Sequence, residues 1–364
     1  MEHLSDGRRG SVLSEAAFHK MIAIERKRTE RSGKPFLLML AEVRSGSPEN
    51  TEKTLGAVTN ALVNATRETD VMGRYKENVA GVIFTELAIA EKHSLLRAMF
   101  ARVSCTLREK LTPNQFDQMT LSFHLFPDDH DDHVQGYPTN LTLYPELSGP
   151  AGASVLSTLK RMMDIVVAMA ALMVLAPLFL AIAVAIKATS KGPVLFRQER
   201  IGQYGKPFIF LKFRTMYADN DATVHEQYVK QLIAGTAQQN PSKGNGQSVY
   251  KLTNDARITR TGVFLRNISL DELPQLLNVL KGEMSLVGPR PPIPYEVENY
   301  ALWHRHRFLI ARPGLTGLWQ VSGRNRVKFD DMVRLDMRYA KTWSLWLDLK
   351  ILLRTPLAIL QGAD

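Results

Sequence analysis

A single cysteine, Cys105, in 364 residues excludes an internal disulfide and with it the stapled folds of small secreted domains. The nine histidines are scattered, and no Cys/His group has the spacing of zinc ligands. No Walker-type glycine loop is present, which removes the commonest nucleotide-triphosphate cradle. Residues 1–34 are polar and charged and lack the apolar stretch of a secretory signal, so the first half is expected to remain cytoplasmic. A net positive charge is also missing from one half. Residues 1–150 carry a formal charge of −2 and residues 151–364 carry +12, which together make the net +10. The arginines of the basic half interleave with Gly-Pro motifs and do not line a groove-reading helix. Nucleic acid is therefore not expected as a partner, whereas anionic lipid or a diphosphate substrate suits that charge.

What is present begins with a long apolar run. Residues 165–186 contain no charge, and at the helical rise they span roughly 33 Å, enough for one bilayer core. Pro177 sits in the middle, where it removes a backbone hydrogen bond and should bend the helix. Lys160 and Arg161 precede the run, and Lys187 and Lys191 follow it. A helix that enters and returns keeps both basic flanks on one side, whereas a straight span satisfies only one. On these residues alone, both arrangements stay open. Nearer the C-terminus, Trp343 to Arg354 alternates tryptophan and leucine with charge, which suits a helix in the membrane interface as well as a packed amphipathic one.

Residues 134–155 are rich in glycine and proline and read as an interdomain linker. Gly192–Gln198 and Pro207–Arg214 read as two short strands around a turn at Gly202–Gly205, a hairpin carrying cations. Residues 219–248 predict some helix followed by a surface loop.

The chemistry concentrates in Leu265 to Gln275 and in Gly288-Pro289-Arg290-Pro291. Ser269 and Glu272 fit the S-x-x-E capping box, a reading in which Glu272 merely closes a helix start. That start would place Asp271 in a first turn, where backbone N–H groups stabilise an anion or a phosphate. A metal ion bridging Asp271 or Glu272 to a diphosphate lets negative partners approach, and Mg²⁺ is the usual ion for this. Arg266, Arg290, Lys212 and Arg214 are the cations expected to neutralise phosphoryl oxygens.

From about Leu159 to Leu360 the chain resembles the bacterial sugar transferases, the monotopic phosphoglycosyl transferases that start glycan assembly on polyprenyl phosphate. The matching text is Lys160-Arg161-Met162-Met163-Asp164, Gly192 to Gly202, Lys212 to Met216, Asn254 to Thr259, Ser269 to Gln275, Val287 to Pro291 and Pro313 to Arg324. The resemblance implies a ping-pong reaction. Asp271 attacks the β-phosphate of a UDP-sugar, UMP leaves, and polyprenyl (undecaprenyl) phosphate takes the phosphosugar. It implies that Glu272 binds Mg²⁺ or activates the lipid phosphate, that Arg266 and Arg290 handle phosphate and nucleotide, and that Pro291 shapes the nucleotide turn. It also implies a re-entrant helix broken near Pro177, on the cytoplasmic face of a bacterial inner membrane. Many family members have Ser-Pro at the break; this chain has Ala176-Pro177.

Residues 18–127 predict helices over 17–31, 51–67 and 90–110 and strands over 35–43 and 79–84. This order, with Arg67-Glu68-Thr69-Asp70 five residues before the signature position, resembles the GGDEF domains of diguanylate cyclases. Lys76-Glu77-Asn78-Val79-Ala80 has lost the signature glycines, and Glu42 is the only carboxylate near the family's metal site, so the resemblance implies a degenerate domain and not a cyclase. Arg67, Asp70 and Arg97 are then the expected contacts for cyclic di-GMP. A GGDEF-like half also favours a homodimer.

The expected fold class is α+β, with a GGDEF-like α/β regulatory domain over 1–133, a linker over 134–155 and a membrane-associated transferase domain with re-entrant and interfacial helices over 156–364. The competing expectation is a membrane-anchored cyclic di-GMP receptor without catalysis.

Overall fold

The computed structural model describes residues 12–44, 48–63, 66–67, 69–85, 87, 92–127, 140–145, 152–217, 223–238, 240–241, 248–250 and 257–361. The chain divides into two compact units, residues 1–132 with 140–149 and residues 133–139 with 150–364.

In the first unit the order is α1 (Glu15–Ser32), β1 (Phe36–Val43), α2 (Pro48–Val63), β2 (Val71–Lys76), β3 (Val79–Phe84), α3 (Lys92–Lys110), α4 (Pro113–Asp117) and β4 (Met119–Phe126). The strands lie in the order β2-β3-β1-β4, with every pairing antiparallel. Because side chains alternate along a strand, Leu37, Met39, Ala41 and Val43 share one face, where they meet Val58, Leu62, Val103 and Leu107 of α2 and α3. The opposite face receives α1. Gly73 pairs with Gly81 across β2 and β3, and a Cβ at either position would run into the ring of Phe18. Two facing glycines thus form the seat in which Phe18 is fully buried, worth about 2–3 kcal/mol of apolar transfer.

The sequence did not resolve β2 or β4 as strands. β2 was hidden within the Arg67–Tyr75 motif, whose glycine and charges weaken the strand signal. The linker also differs from expectation. Tyr75 donates to Thr142 O and Arg26 stacks 4.0 Å from the Tyr144 ring, so residues 140–145 pack within the first unit because Leu143 and Tyr144 bury apolar surface there. The remaining linker residues 134–139 and 146–151 lie outside the described residues, and α5 begins at Gly152.

The second unit opens on α5 (Gly152–Thr189), followed by the hairpin β5 (Leu195–Ile201) and β6 (Pro207–Phe213), whose register matches the expected turn. Then come α6 (Thr223–Ile233), the short pair β7 (Asn240–Pro241) and β8 (Ser248–Val249), α7 (Arg260–Asn267), α8 (Gln275–Lys281), β9 (Ser285–Val287), α9 (Pro294–Glu298), α10 (His306–Ile310), β10 (Gly314–Thr316), α11 (Leu318–Ser322), α12 (Phe329–Thr342) and α13 (Leu345–Gln361). β9 and β10 pair in parallel.

Within α5, Val155–Thr189 is long and apolar enough to cross a membrane by length and composition. Pro177 lies inside α5, which is helical continuously from Gly152 to Thr189. Both ends of α5 are held by the same unit. At the front, Arg161 donates to Val279 O and Leu280 O, and Asp164 accepts from Ser285 Oγ and Leu286 N. At the back, Ile182 and Ile186 pack with Phe213 and Leu265, and Arg214 donates to Lys191 O and Ser190 O. Val166, Met173, Val174, Leu180 and Val184 face outward.

On α13, Asp348 is fully buried and accepts from Lys160 Nζ at 2.6 Å, Tyr339 OH at 2.7 Å and Trp343 Nε1 at 3.1 Å. Its other side exposes Trp346, Leu349, Leu353, Leu357 and Leu360. One face of α13 is therefore packed, and the other is apolar and open.

Candidate active site

Asp271 and Glu272 occupy a 3₁₀ turn, Leu270–Glu272, that enters α8 through Pro274. The capping-box reading is overturned here. Ser269 is left-handed at φ 54°, makes no cap bond, and its hydroxyl accepts from Arg324 Nη2 at 2.8 Å. Arg324 is itself left-handed, at φ 46°. A side chain in that region is sterically disfavoured, so the Ser269–Arg324 bond holds two strained residues against each other and aims the next turn.

Asp271 is buried, 7% exposed. Desolvation, followed by the charge of Glu272, pushes its carboxyl up to about 6, against the pull of Lys212 and Arg266. At neutral pH it remains ionised, more basic than an ordinary aspartate. Lys212, on β6, is pushed down to about 8 by burial, partly offset by Asp271. Arg266, on α7, donates Nε to Thr215 Oγ1 at 2.8 Å. That bond depends on Gly262, where a Cβ would overlap the carbonyl of Thr215, so only glycine lets α7 close on the end of β6.

Of the expected cations, Lys212 and Arg266 act on Asp271, while Arg290 lies exposed next to Pro291, where its charge reaches Arg200 and His225. Arg214 differs from expectation. Its guanidinium is committed to Ser190 and Lys191 at the C-terminal end of α5, because the orphan carbonyls of a helix end need donors. Asn254, Asp255 and Ala256 lie outside the described residues.

Sequence reasoning passed over three other groups. Arg200 is buried, donates to Pro291 O at 2.9 Å, and its charge reaches Glu272. Its place in the alternation of β5 was the available signal. His225 Nδ1 and Tyr295 OH lie 2.7 Å apart, and burial with surrounding cations, Arg290 first, lowers the imidazole to about 4. Arg324 stands 55 residues beyond Ser269, and no local pattern joins them.

Among the described residues no three metal-binding side chains converge. Asp271 and Glu272 still fit Mg²⁺, an ion commonly held by one or two carboxylates with substrate phosphates completing its shell.

In the first unit Arg67 N donates to the Asp70 carboxylate at 2.8 Å, and Asp70 N to Arg67 O at 3.0 Å, so the pair closes its own turn. Asp70 is raised by burial, opposed by its hydrogen bond and charge contact with Arg67. The α3 arginine whose charge reaches Asp70 is Arg102; Arg97 is exposed on the same helix, five residues earlier.

A family profile described as bacterial sugar transferase matches residues 155–362. The chain belongs to the bacterial sugar transferase family. It is 46% identical over 198 residues to an uncharacterized sugar transferase of Haemophilus influenzae, 54% of this chain and 40% of that protein. It is 42% identical over 203 residues to the undecaprenyl-phosphate galactose phosphotransferase of Salmonella typhimurium, 56% of this chain and 40% of that protein. A UDP-glucose:undecaprenyl-phosphate glucose-1-phosphate transferase of Caulobacter vibrioides is 43% identical over 223 residues, 59% of this chain and 74% of that protein. The chain thus spans about two fifths of the length of the first two relatives. Among solved structures it is similar to the GGDEF domain of DgcB from Caulobacter crescentus, 11% identical with a TM-score of 0.26, over 34% of this chain and 78% of that one.

Proposed function

We propose that the second unit transfers a sugar-1-phosphate from a UDP-sugar to polyprenyl phosphate and so initiates exopolysaccharide or glycan synthesis. The observation that carries this reading is a buried, raised Asp271 carboxylate flanked by Glu272 and by the charges of Lys212 and Arg266. An Asp271 oxygen attacks the β-phosphorus; the bond from that phosphorus to the bridging oxygen breaks, and UMP departs with the electron pair. A polyprenyl phosphate oxygen then attacks the same phosphorus and the aspartyl–phosphorus bond breaks, leaving the phosphosugar on the lipid and Asp271 free. Lys212, Arg266 and Arg290 bind the phosphoryl oxygens, and Arg200 holds the Pro291 turn beside them. Asp271 and Glu272 would hold Mg²⁺, which supplies neutralisation of phosphate charge when bound. Among relatives one is named for galactose and another for glucose, so the sugar stays open within the hexoses and their N-acetyl forms.

The attachment of both ends of α5 to one unit favours a re-entrant, monotopic placement on the cytoplasmic face of the inner membrane. A straight crossing would carry Lys160 and Ser190 to opposite sides of a bilayer roughly 30 Å thick, although both ends bond within the same unit. The outward apolar faces of α5 and α13 would then lie in lipid.

For the first unit we infer binding of cyclic di-GMP by Arg67, Asp70 and Arg102, as a regulatory input within a homodimer. The test uses the full chain in nanodiscs with undecaprenyl phosphate, a panel of UDP-sugars and Mg²⁺, with and without cyclic di-GMP. UMP release that requires both Asp271 and one UDP-sugar is expected, with a rate that responds to cyclic di-GMP until Arg67 is replaced by Ala. Release that persists in Asp271→Asn would sink the mechanism, and a wild-type rate indifferent to cyclic di-GMP would sink the regulation.

A further inference from the structure

Of the motif Lys160-Arg161-Met162-Met163-Asp164, Lys160, Arg161 and Asp164 line a cavity of about 460 Å³ at the front of α5, whose wall includes neither Asp271 nor Glu272. Arg161, Asp164, Gln203, Arg312, Tyr339 and Trp343 contribute to the wall. Asp164 is 1% exposed. One carboxylate oxygen accepts from Ser285 and Leu286, while the other, Oδ2, is buried with no hydrogen-bond partner. A buried carboxylate oxygen left in that state costs free energy unless a donor reaches it. Lys160 is neutralised by Asp348 at 2.6 Å. Arg161 already anchors the end of α8 through both terminal nitrogens but keeps its charge. Arg312 is half-buried, and its side chain makes no hydrogen bond among the described residues. Two arginines and one carboxylate leave one positive charge in the wall, the complement of one phosphodiester, and the free Oδ2 asks for an N–H or O–H group close to it.

The surroundings are apolar. Leu156, Leu159 and Met162, on the same stretch of α5, are exposed, as is Trp346 just beyond Trp343. A headgroup in the cavity would have its acyl chains beside these residues.

We propose that this cavity is a headgroup site for a bilayer phospholipid, with the phosphodiester on Arg161 and Arg312 and the donor group beyond the phosphate on Asp164 Oδ2. The site is separate from the acceptor lipid's reacting phosphate and would fix the depth at which the front of α5 enters the membrane. The inference rests on the reading that α5 lies in a bilayer.

The test is native mass spectrometry of the full chain released from mixed nanodiscs in which phosphatidylethanolamine, phosphatidylglycerol and phosphatidylcholine share the same acyl chains. Retention of the two donor-bearing lipids over phosphatidylcholine by about five-fold or more is expected, the size of one charge-assisted hydrogen bond. Arg312→Gln should lose retained lipid by a similar factor. Asp164→Asn, which keeps the shape and one acceptor oxygen, should bring the three lipids to near parity. Equal retention of all three by the unaltered protein, or full retention by Arg312→Gln, would overturn the proposal. Displacement by soluble glycerophosphoethanolamine at the same concentration as the lipid would also overturn it, by reassigning the cavity to a soluble phosphodiester. Flotation of the same samples with membranes separates this claim from the placement of α5, because a chain that floats without retaining such a lipid refutes the headgroup site alone.

Discussion

Asp70 and Asp271 both lie in tight turns with arginine charge nearby, and burial raises both carboxylates, yet what offsets that burial differs. The Asp70 carboxylate accepts from the backbone of its own turn and is half-buried. Asp271 is more deeply buried, beside a second carboxylate, and is balanced first by the charges of Lys212 and Arg266 and only then by a bond from its own backbone N–H. At Asp70 a backbone bond is the largest counterweight to burial, and it steadies the turn. At Asp271 the largest counterweight is charge, which leaves most of the carboxylate's lone pairs for a reacting atom.

The largest effect expected from this contrast is on chemistry. Asp271→Asn should lower UMP release by about a thousand-fold or more, while its melting temperature holds or rises, since a buried charge beside Glu272 is removed. A thermally weakened variant would instead make Asp271 structural. Next, Arg324→Ala frees Ser269 to leave its left-handed conformation and should cut kcat by roughly ten- to a hundred-fold through misaim of the turn. Because Arg324 is a positioning residue, Arg324→Lys should recover part of kcat with KM little changed; a loss confined to KM would argue for direct substrate contact.

In the first unit, Gly81→Val would drive a side chain into Phe18 and should destabilise that unit by about 2–3 kcal/mol, readable in its denaturant midpoint. Asp70→Ala removes its backbone bonds from Arg67 and Thr85 and should cost about 1–2 kcal/mol in the same measurement. A larger loss would mean that Asp70 supports more than its turn. The last test concerns the pH dependence carried by His225. The folded chain resists protonating it until about pH 4, whereas the unfolded chain takes that proton near the ordinary value of 6.5. Its contribution to stability is therefore complete above pH 6.5 and is lost as the pH falls from there toward 4. Thermal melts of His225→Gln should show a flatter slope across that window than the unaltered chain.

The hairpin β5–β6 was legible because its two runs carry strand-forming residues around a glycine turn, and register follows from that turn. Helices α1 and α3 were legible within a few residues. β2 was not, since Gly73 and Arg74 break the apolar pattern, and the reason for the glycine lies on another element, in the ring of Phe18. Within the site, Asp271, Glu272, Lys212 and Arg266 stood out by type and motif. The role of Arg214 did not, because a helix end and a phosphate ask for the same donor, and only packing decides which one the guanidinium meets.

By itself, the order of residues determined the apolar length of α5, the basic character of the second half and the pairing of Asp271 with Glu272. These depend on composition and on neighbours along the chain. The tertiary structure alone decided that both ends of α5 are tied to one unit, that Ser269 is held by Arg324 rather than capping a helix, and that one oxygen of Asp164 is buried without a partner beside a cavity. Each of these joins residues far apart in sequence, and burial, hydrogen-bond supply and charge at such distances are set by packing and not by local pattern.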